Sequence, residues 1–348
     1  MSRKFIFLLL AAAALSSSAC LCFPLEWWAF QPQQPTKAQP QPAPASTPVP
    51  LDWSLHENSA QEFSACQEQL PSLLVEAERT DFPGDELPMD YTVVVYRVSG
   101  DTLSDPQYPQ LPERFGLDAY QDDLPRQQQL WRFVVDILPA QERSQLSSFV
   151  LFTDGINGSL GAIEQSDDPY SWSLQLDIQD SAYYPVLSTT LIHEVAHMLT
   201  VQDAQLYLNE ELDRKPAGQG SGLLPGGVCD NYRMLEGCST DASYLNLFFD
   251  RFWGDIFAAW LEIDDLESES ERGEALDRFY ESHLDQFVSW YAPTNPEEDL
   301  AESFMYFVFS AAPSGDTLAE QKMLFFYDFP ELVELRQQLH TGLCAYLP

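Results

Sequence analysis

The sequence predicts an α+β fold, a small mixed sheet followed by a mainly helical half. Three observations predict it. Short β-patterned runs are concentrated between Tyr91 and Ile178, one amphipathic helix is centred on His193, and helical periodicity runs through most of the chain after Ser243. The 348 residues are 45% hydrophobic and 13% aromatic, enough to bury a sizeable core and too much for a mainly disordered chain.

The elements follow in order. Glu57 to Glu78 reads as helical, with a break expected at Pro71. Tyr91 to Val98 is β-branched and aromatic, a strand ended by Ser99-Gly100. Gln127 to Leu138 places Leu130, Val134 and Ile137 near helical spacing, and Pro139 stops it. Phe149 to Thr153 is a short apolar strand, followed by the turn signals Asp154-Gly155 and Asn157-Gly158. Leu160 to Ile163 and Ser171 to Ile178 complete the strands. In the last of these Trp172, Leu174, Leu176 and Ile178 alternate with Ser173, Gln175 and Asp177, the pattern of a strand with one wet face. Pro185 then suits the first turn of a helix whose apolar stripe is Leu187, Leu191, Val195 and Met198. Lys215 to Gly227 is rich in Gly and Pro and reads as a mobile loop, and the cluster Phe248, Phe249, Phe252 and Trp253 reads as core.

Charge and processing signals narrow the function. Lys+Arg total 17 against 54 Asp+Glu, a formal charge of -37. Such a surface repels phosphates and anionic headgroups, which excludes nucleic-acid binding and a polybasic membrane role. Ser2-Arg3-Lys4 and the apolar run Phe5 to Leu15 form a secretory signal too short to span a bilayer. Ala19 followed by Cys20 resembles a bacterial lipoprotein signal, in which Cys20 would be lipidated and begin the mature chain; ordinary cleavage after Ala19 fits the same residues. The expected division is a signal peptide over 1–19, an anchor and Pro/Gln-rich linker over 20–50, and one folded domain over 51–348, held at the bacterial cell surface or secreted. With Cys20 and Cys22 set aside, four of the six Cys remain, an even number in an exported chain. Cys229 and Cys238 bracket a short segment and read as a local staple, which leaves Cys66 with Cys344.

The chemistry lies in His193-Glu194-Val195-Ala196-His197. Spacing of i, i+4 puts both imidazoles on one helix face, one turn apart, where their nitrogens can share one tetrahedral zinc. Glu194 stands beside them, placed to accept a proton from water and pass it to a leaving amine. Zinc needs a further protein ligand, and the candidates are Asp203, Glu298 and Glu302. Asp203 follows His197 at the distance of a metzincin last ligand, but the turn-making Gly of that pattern is replaced by Thr200. Glu298 and Glu302 share one face of a second helix capped by Asn295 or Thr294, although acids are favoured at any helix start by its dipole.

An H-E-x-x-H helix followed downstream by E-x-x-x-E resembles the gluzincin metallopeptidases. The string Tyr291…Thr294-Asn295-Pro296-x-Glu298-Asp299-Leu300-Ala301-Glu302-x-Phe304 is most similar to the branch related to the anthrax lethal factor catalytic domain. The resemblance implies a zincin-type fold, with Glu298 as the third zinc ligand and Glu302 as the partner of His193 or His197. It implies for Tyr291 a hydrogen bond to the oxyanion or leaving group, and for the sheet an edge strand, somewhere in Phe149–Ile178, that pairs with extended peptide. The expected activity is zinc-dependent hydrolysis of peptide or protein substrates outside the cytoplasm. A non-catalytic surface module binding zinc or peptide, and a metal-dependent hydrolase of cell-wall material, are the alternatives.

Overall fold

The computed structural model describes residues 60–78, 80, 87–156, 158–202, 204–208, 229 and 231–347. The expected signal peptide, Cys20, the linker, Asp203 and the Lys215–Gly227 loop all lie outside those residues.

Helix α1 spans Ala60–Glu78 and runs through Pro71 without the expected break. Leu70, Leu73 and Leu74 on either side of it are buried. Burying such side chains contributes about 1.5–3 kcal/mol each, enough to offset the roughly 3 kcal/mol of an interior proline. Strands β1 (Tyr91–Ser99) and β2 (Thr102–Gln107) then form a hairpin turning on Gly100, whose φ of 59° only a glycine adopts freely. β2 carries no apolar alternation, which hides it from pattern reading. Its Asp105 and Pro106 are the residues a sheet tolerates only at its edge.

Helices α2 (Asp118–Asp122) and α3 (Leu124–Ile137) follow, α3 starting earlier than the periodicity suggests because the Asp123 side chain caps it through the Arg126 N–H. Strands β3 (Leu146–Thr153), β4 (Gly161–Gln165) and β5 (Trp172–Asp177) complete a five-stranded sheet of order β2-β1-β3-β5-β4. Only β3 and β5 run parallel, so the sheet is mixed. The wet face expected of β5 is largely lost: Gln175 is half-buried, Ser173 and Asp177 are buried, and Asp177 gathers backbone N–H groups.

Helix α4 (Tyr184–Thr200) opens with Pro185 in its first turn and buries Leu187, Leu191, Val195 and Met198. A two-stranded ribbon, β6 (Leu206–Leu208) with β7 (Gly237–Ser239), follows; its strands are too short to show a period. The second half is helical as predicted: α5 (Tyr244–Phe252), α6 (Phe257–Asp264), α7 (Glu269–Ser282), α8 (Pro296–Phe309), α9 (Leu318–Phe325) and α10 (Pro330–Cys344). Phe248, Phe249, Phe252 and Trp253 are core, as expected. Fully buried Lys322 on α9 donates to Asp299 on α8 at 2.6 Å, and Trp253 donates to the same carboxylate oxygen at 2.7 Å, so α8 is held in position by a charged contact inside the core.

Both expected cysteine pairs form. Cys66 and Cys344 lie 5.7 Å apart at Cα and tie α1 to the end of α10, and Cys229 and Cys238 lie 5.7 Å apart across the local loop. Disulfides of this kind fit an oxidising, extracytoplasmic environment. Among the described residues no helix is long and apolar enough to cross a membrane.

Candidate metal centre

Two helices supply the site. On α4 the i, i+4 spacing sets His193 and His197 on one face, their rings edge to face with centroids 4.9 Å apart. α8 packs against it, and its first turn is set by Asn295, whose side chain accepts the Glu298 N–H at 2.7 Å. The acids of that turn are not a generic response to the helix dipole, since each has its own partner. Glu297 accepts the Tyr232 hydroxyl at 2.7 Å, Asp299 faces Lys322, and Glu298 turns to the histidines.

The atoms that could hold a metal converge tightly. His193 Nε2 lies 3.1 Å from His197 Nε2 and 3.0 Å from Glu298 Oε2, and His197 Nε2 lies 3.4 Å from the same oxygen. His193 Nδ1 donates to Glu302 Oε1 at 2.8 Å, which fixes the ring and directs Nε2 to the cluster. Of the two histidines left open as Glu302's partner by the sequence, the contact is made by His193. Thr200 continues α4 to its end, its hydroxyl bonded back to the His197 carbonyl, where a metzincin chain would turn.

Burial disfavours charge on both imidazoles. The carboxylates outweigh it, those of Glu298 and Glu302 holding His193 well above the usual histidine pKa, and that of Glu298 raising His197. Glu298 responds in reverse: burial pushes it up, but His197 and His193 bring it below the usual carboxylate range. Glu194 is raised by burial, against the opposing pull of His197 and His193. Its Oε2 is buried and accepts no hydrogen bond among the described residues. The Tyr291 ring centroid lies 6.0 Å from that of His193, just before the short helical turn Ala292–Thr294 that leads into α8.

A feature the sequence left open is the sheet edge beside these groups. β4 is the terminal strand on that side, and it runs against α4. The contact is close at Gly161, where a Cβ would come within 2.8 Å of Thr190 Cγ2 and 3.2 Å of Glu194 Cγ, and the Ile163 backbone N–H favours the Glu194 carboxylate. A glycine opening a strand was the available signal, because it marks close approach of another chain segment. Comparison of the chain with known protein families, with characterised proteins and with solved structures finds no match, so the site's meaning rests on its own chemistry.

Proposed function

We propose that the chain is a zinc-dependent peptidase of the zincin type, hydrolysing peptide bonds outside the cytoplasm, with a lipid on Cys20 holding it at the bacterial cell surface. The observation that carries the reading is the triangle of ligand atoms, with sides of 3.0, 3.1 and 3.4 Å. Zinc bonds of about 2.0 Å in tetrahedral geometry put neighbouring ligand atoms roughly 3.3 Å apart, so the three fit one ion and leave a fourth position open. Two imidazoles, neutral once they bind the ion, and one carboxylate are a donor set suited to zinc.

His193, His197 and Glu298 would hold the ion, and Glu302 would orient His193 through Nδ1. The bound ion would polarise the scissile carbonyl and acidify a water. Glu194, whose Oε2 accepts no hydrogen bond among the described residues, takes the proton of the attacking water and delivers it to the leaving amine. Tyr291 donates to the oxyanion as the carbonyl carbon becomes tetrahedral. β4 supplies the edge along which an extended peptide adds as a further strand.

The test incubates the purified zinc-loaded protein with a mixed peptide set and reads fragments by mass spectrometry. Cleavage should vanish with 1,10-phenanthroline and return with stoichiometric zinc. No cleavage at full zinc occupancy would sink the peptidase reading in favour of a zinc- or peptide-binding surface module.

A further inference from the structure

The parallel pairing of β3 with β5 sets Phe152 beside Asp177 and brings the ends of both strands together. Three aspartates meet there. Asp154 follows β3, Asp177 ends β5, and Asp180 opens the short helical turn Asp180–Ala182 that precedes α4. They are 6%, 0% and 1% exposed, and one carboxylate oxygen of each lies within 4.8 Å of the others.

Asp177 has structural partners. Its Oδ2 accepts the Asp154 N–H at 3.1 Å, and its Oδ1 accepts those of Gln179 at 2.6 Å and Asp180 at 3.0 Å. Asp154 Oδ2 accepts the Ser159 N–H at 2.8 Å. Three oxygens remain: Asp154 Oδ1 and both oxygens of Asp180 are buried and accept no hydrogen bond among the described residues. A buried carboxylate without partners is costly unless something neutralises it. The nearby charge does not. Asp90 adds a fourth acid, and among the described residues the cation acting on the group is Arg126, whose guanidinium donates to the Ile178 and Gln179 carbonyls.

We propose that Asp154, Asp177 and Asp180 form a second metal site, for a hard divalent cation of the calcium class. An all-oxygen donor set with no His or Cys selects such ions over zinc, and Asp180, with both oxygens available, can bind in the bidentate manner calcium accepts. The surrounding loop is shaped to the carboxylates. Gly158 has a φ of 122°, and a Cβ there would run into Asp154 Oδ2. Asp154 begins the connection from β3 to β4, and Asp180 precedes α4, so the ion fixes where the edge strand and the histidine-bearing helix each begin. The site goes beyond the peptidase reading and does not depend on it.

The rival way to neutralise three buried acids is by shared protons, and calcium binding separates the two. Equilibrium dialysis with radioactive calcium on the full-length, zinc-loaded protein should find one tight equivalent above the weak binding of the acidic surface. At a hundredfold excess over Kd the melting temperature should rise by about 5 °C. Asp180→Asn keeps the shape of the side chain and should lose both the tight equivalent and the shift. Glu298→Ala should keep both. Absence of a tight equivalent in the zinc-loaded wild type overturns the proposal, and this holds even if Asp180→Asn does not fold. So does an unchanged equivalent in Asp180→Asn, or one that appears only after zinc is removed, which would put calcium between the histidines instead.

Discussion

The group formed by His193, His197 and Glu298 and the group formed by Asp154, Asp177 and Asp180 are both mostly buried beside α4, yet they balance charge in opposite ways. In the first, donors and acceptors answer one another: the carboxylates raise the imidazoles, and the imidazoles lower Glu298. In the second, every member is an acid, and burial pushes all three carboxyls upward, with repulsion adding to it from Asp90 at Asp154, from Asp154 at Asp177, and from Asp177 and Asp154 at Asp180. A mixed nitrogen and oxygen set suits a borderline ion that does chemistry, whereas an all-oxygen set suits a hard ion that holds structure. In the proposed reading the second, lying where β4 and α4 begin, supports the first.

Metal removal should break the comparison most completely. 1,10-Phenanthroline takes zinc and spares calcium, so peptide hydrolysis should be abolished while the calcium-dependent rise in melting temperature persists. Loss of both together would mean that the two sites are not separate. Next in size, Glu194→Gln should lower hydrolysis by about 10²–10⁴-fold with zinc content and melting temperature nearly unchanged, because the amide cannot take the water proton. Full activity in that variant at full zinc occupancy would remove Glu194 from the mechanism.

Competition with a chromophoric chelator sharpens the ligand assignment. Glu298→Ala should weaken zinc by more than about 100-fold, and Glu302→Ala by about 10–100-fold, since Glu302 orients His193 without touching the ion. Comparable losses would leave the third ligand unassigned, and zinc lost through Asp203→Ala but kept in Glu298→Ala would point to a metzincin-like site. The smallest effect belongs to the seam between sheet and helix. Gly161→Ala places a Cβ 2.8 Å from Thr190 Cγ2, so the edge strand must shift by a fraction of an ångström. The expected result is about a tenfold fall in kcat/KM with unchanged zinc affinity. An unaffected kcat/KM would remove β4 from substrate alignment.

Much of this molecule is legible in its sequence, and the legible parts share a cause. His193 and His197 are one helical turn apart, as are Glu298 and Glu302, so local periodicity alone puts each pair on one face. The same holds for the buried stripe of α4, the Asn295 cap and the β-patterned runs. The α+β class and the cysteine pairing followed from the order of those runs and from counting. Misreadings occurred where a local rule met tertiary packing. Pro71 is tolerated because Leu70, Leu73 and Leu74 are buried around it, and Ser173 and Asp177 of β5 are buried in the packed fold, where backbone N–H groups satisfy Asp177.

What the tertiary structure alone decided is which distant groups meet. Asp154 reads as a turn residue and Asp177 as the polar member of an alternating strand, and nothing in either segment announces that a parallel strand pair will set their carboxylates together with Asp180. The sheet order that makes β4 the edge, the packing of α8 on α4 that delivers Glu298, and the choice of His193 over His197 as the partner of Glu302 belong to the same category. By itself the sequence determined the residue types, their spacing along each helix and strand, and therefore the kind of chemistry each element can carry. Contacts across 109 residues of chain, as between His193 and Glu302, depend on how whole elements bury their apolar faces together, and that is a property of the packed fold rather than of any local pattern.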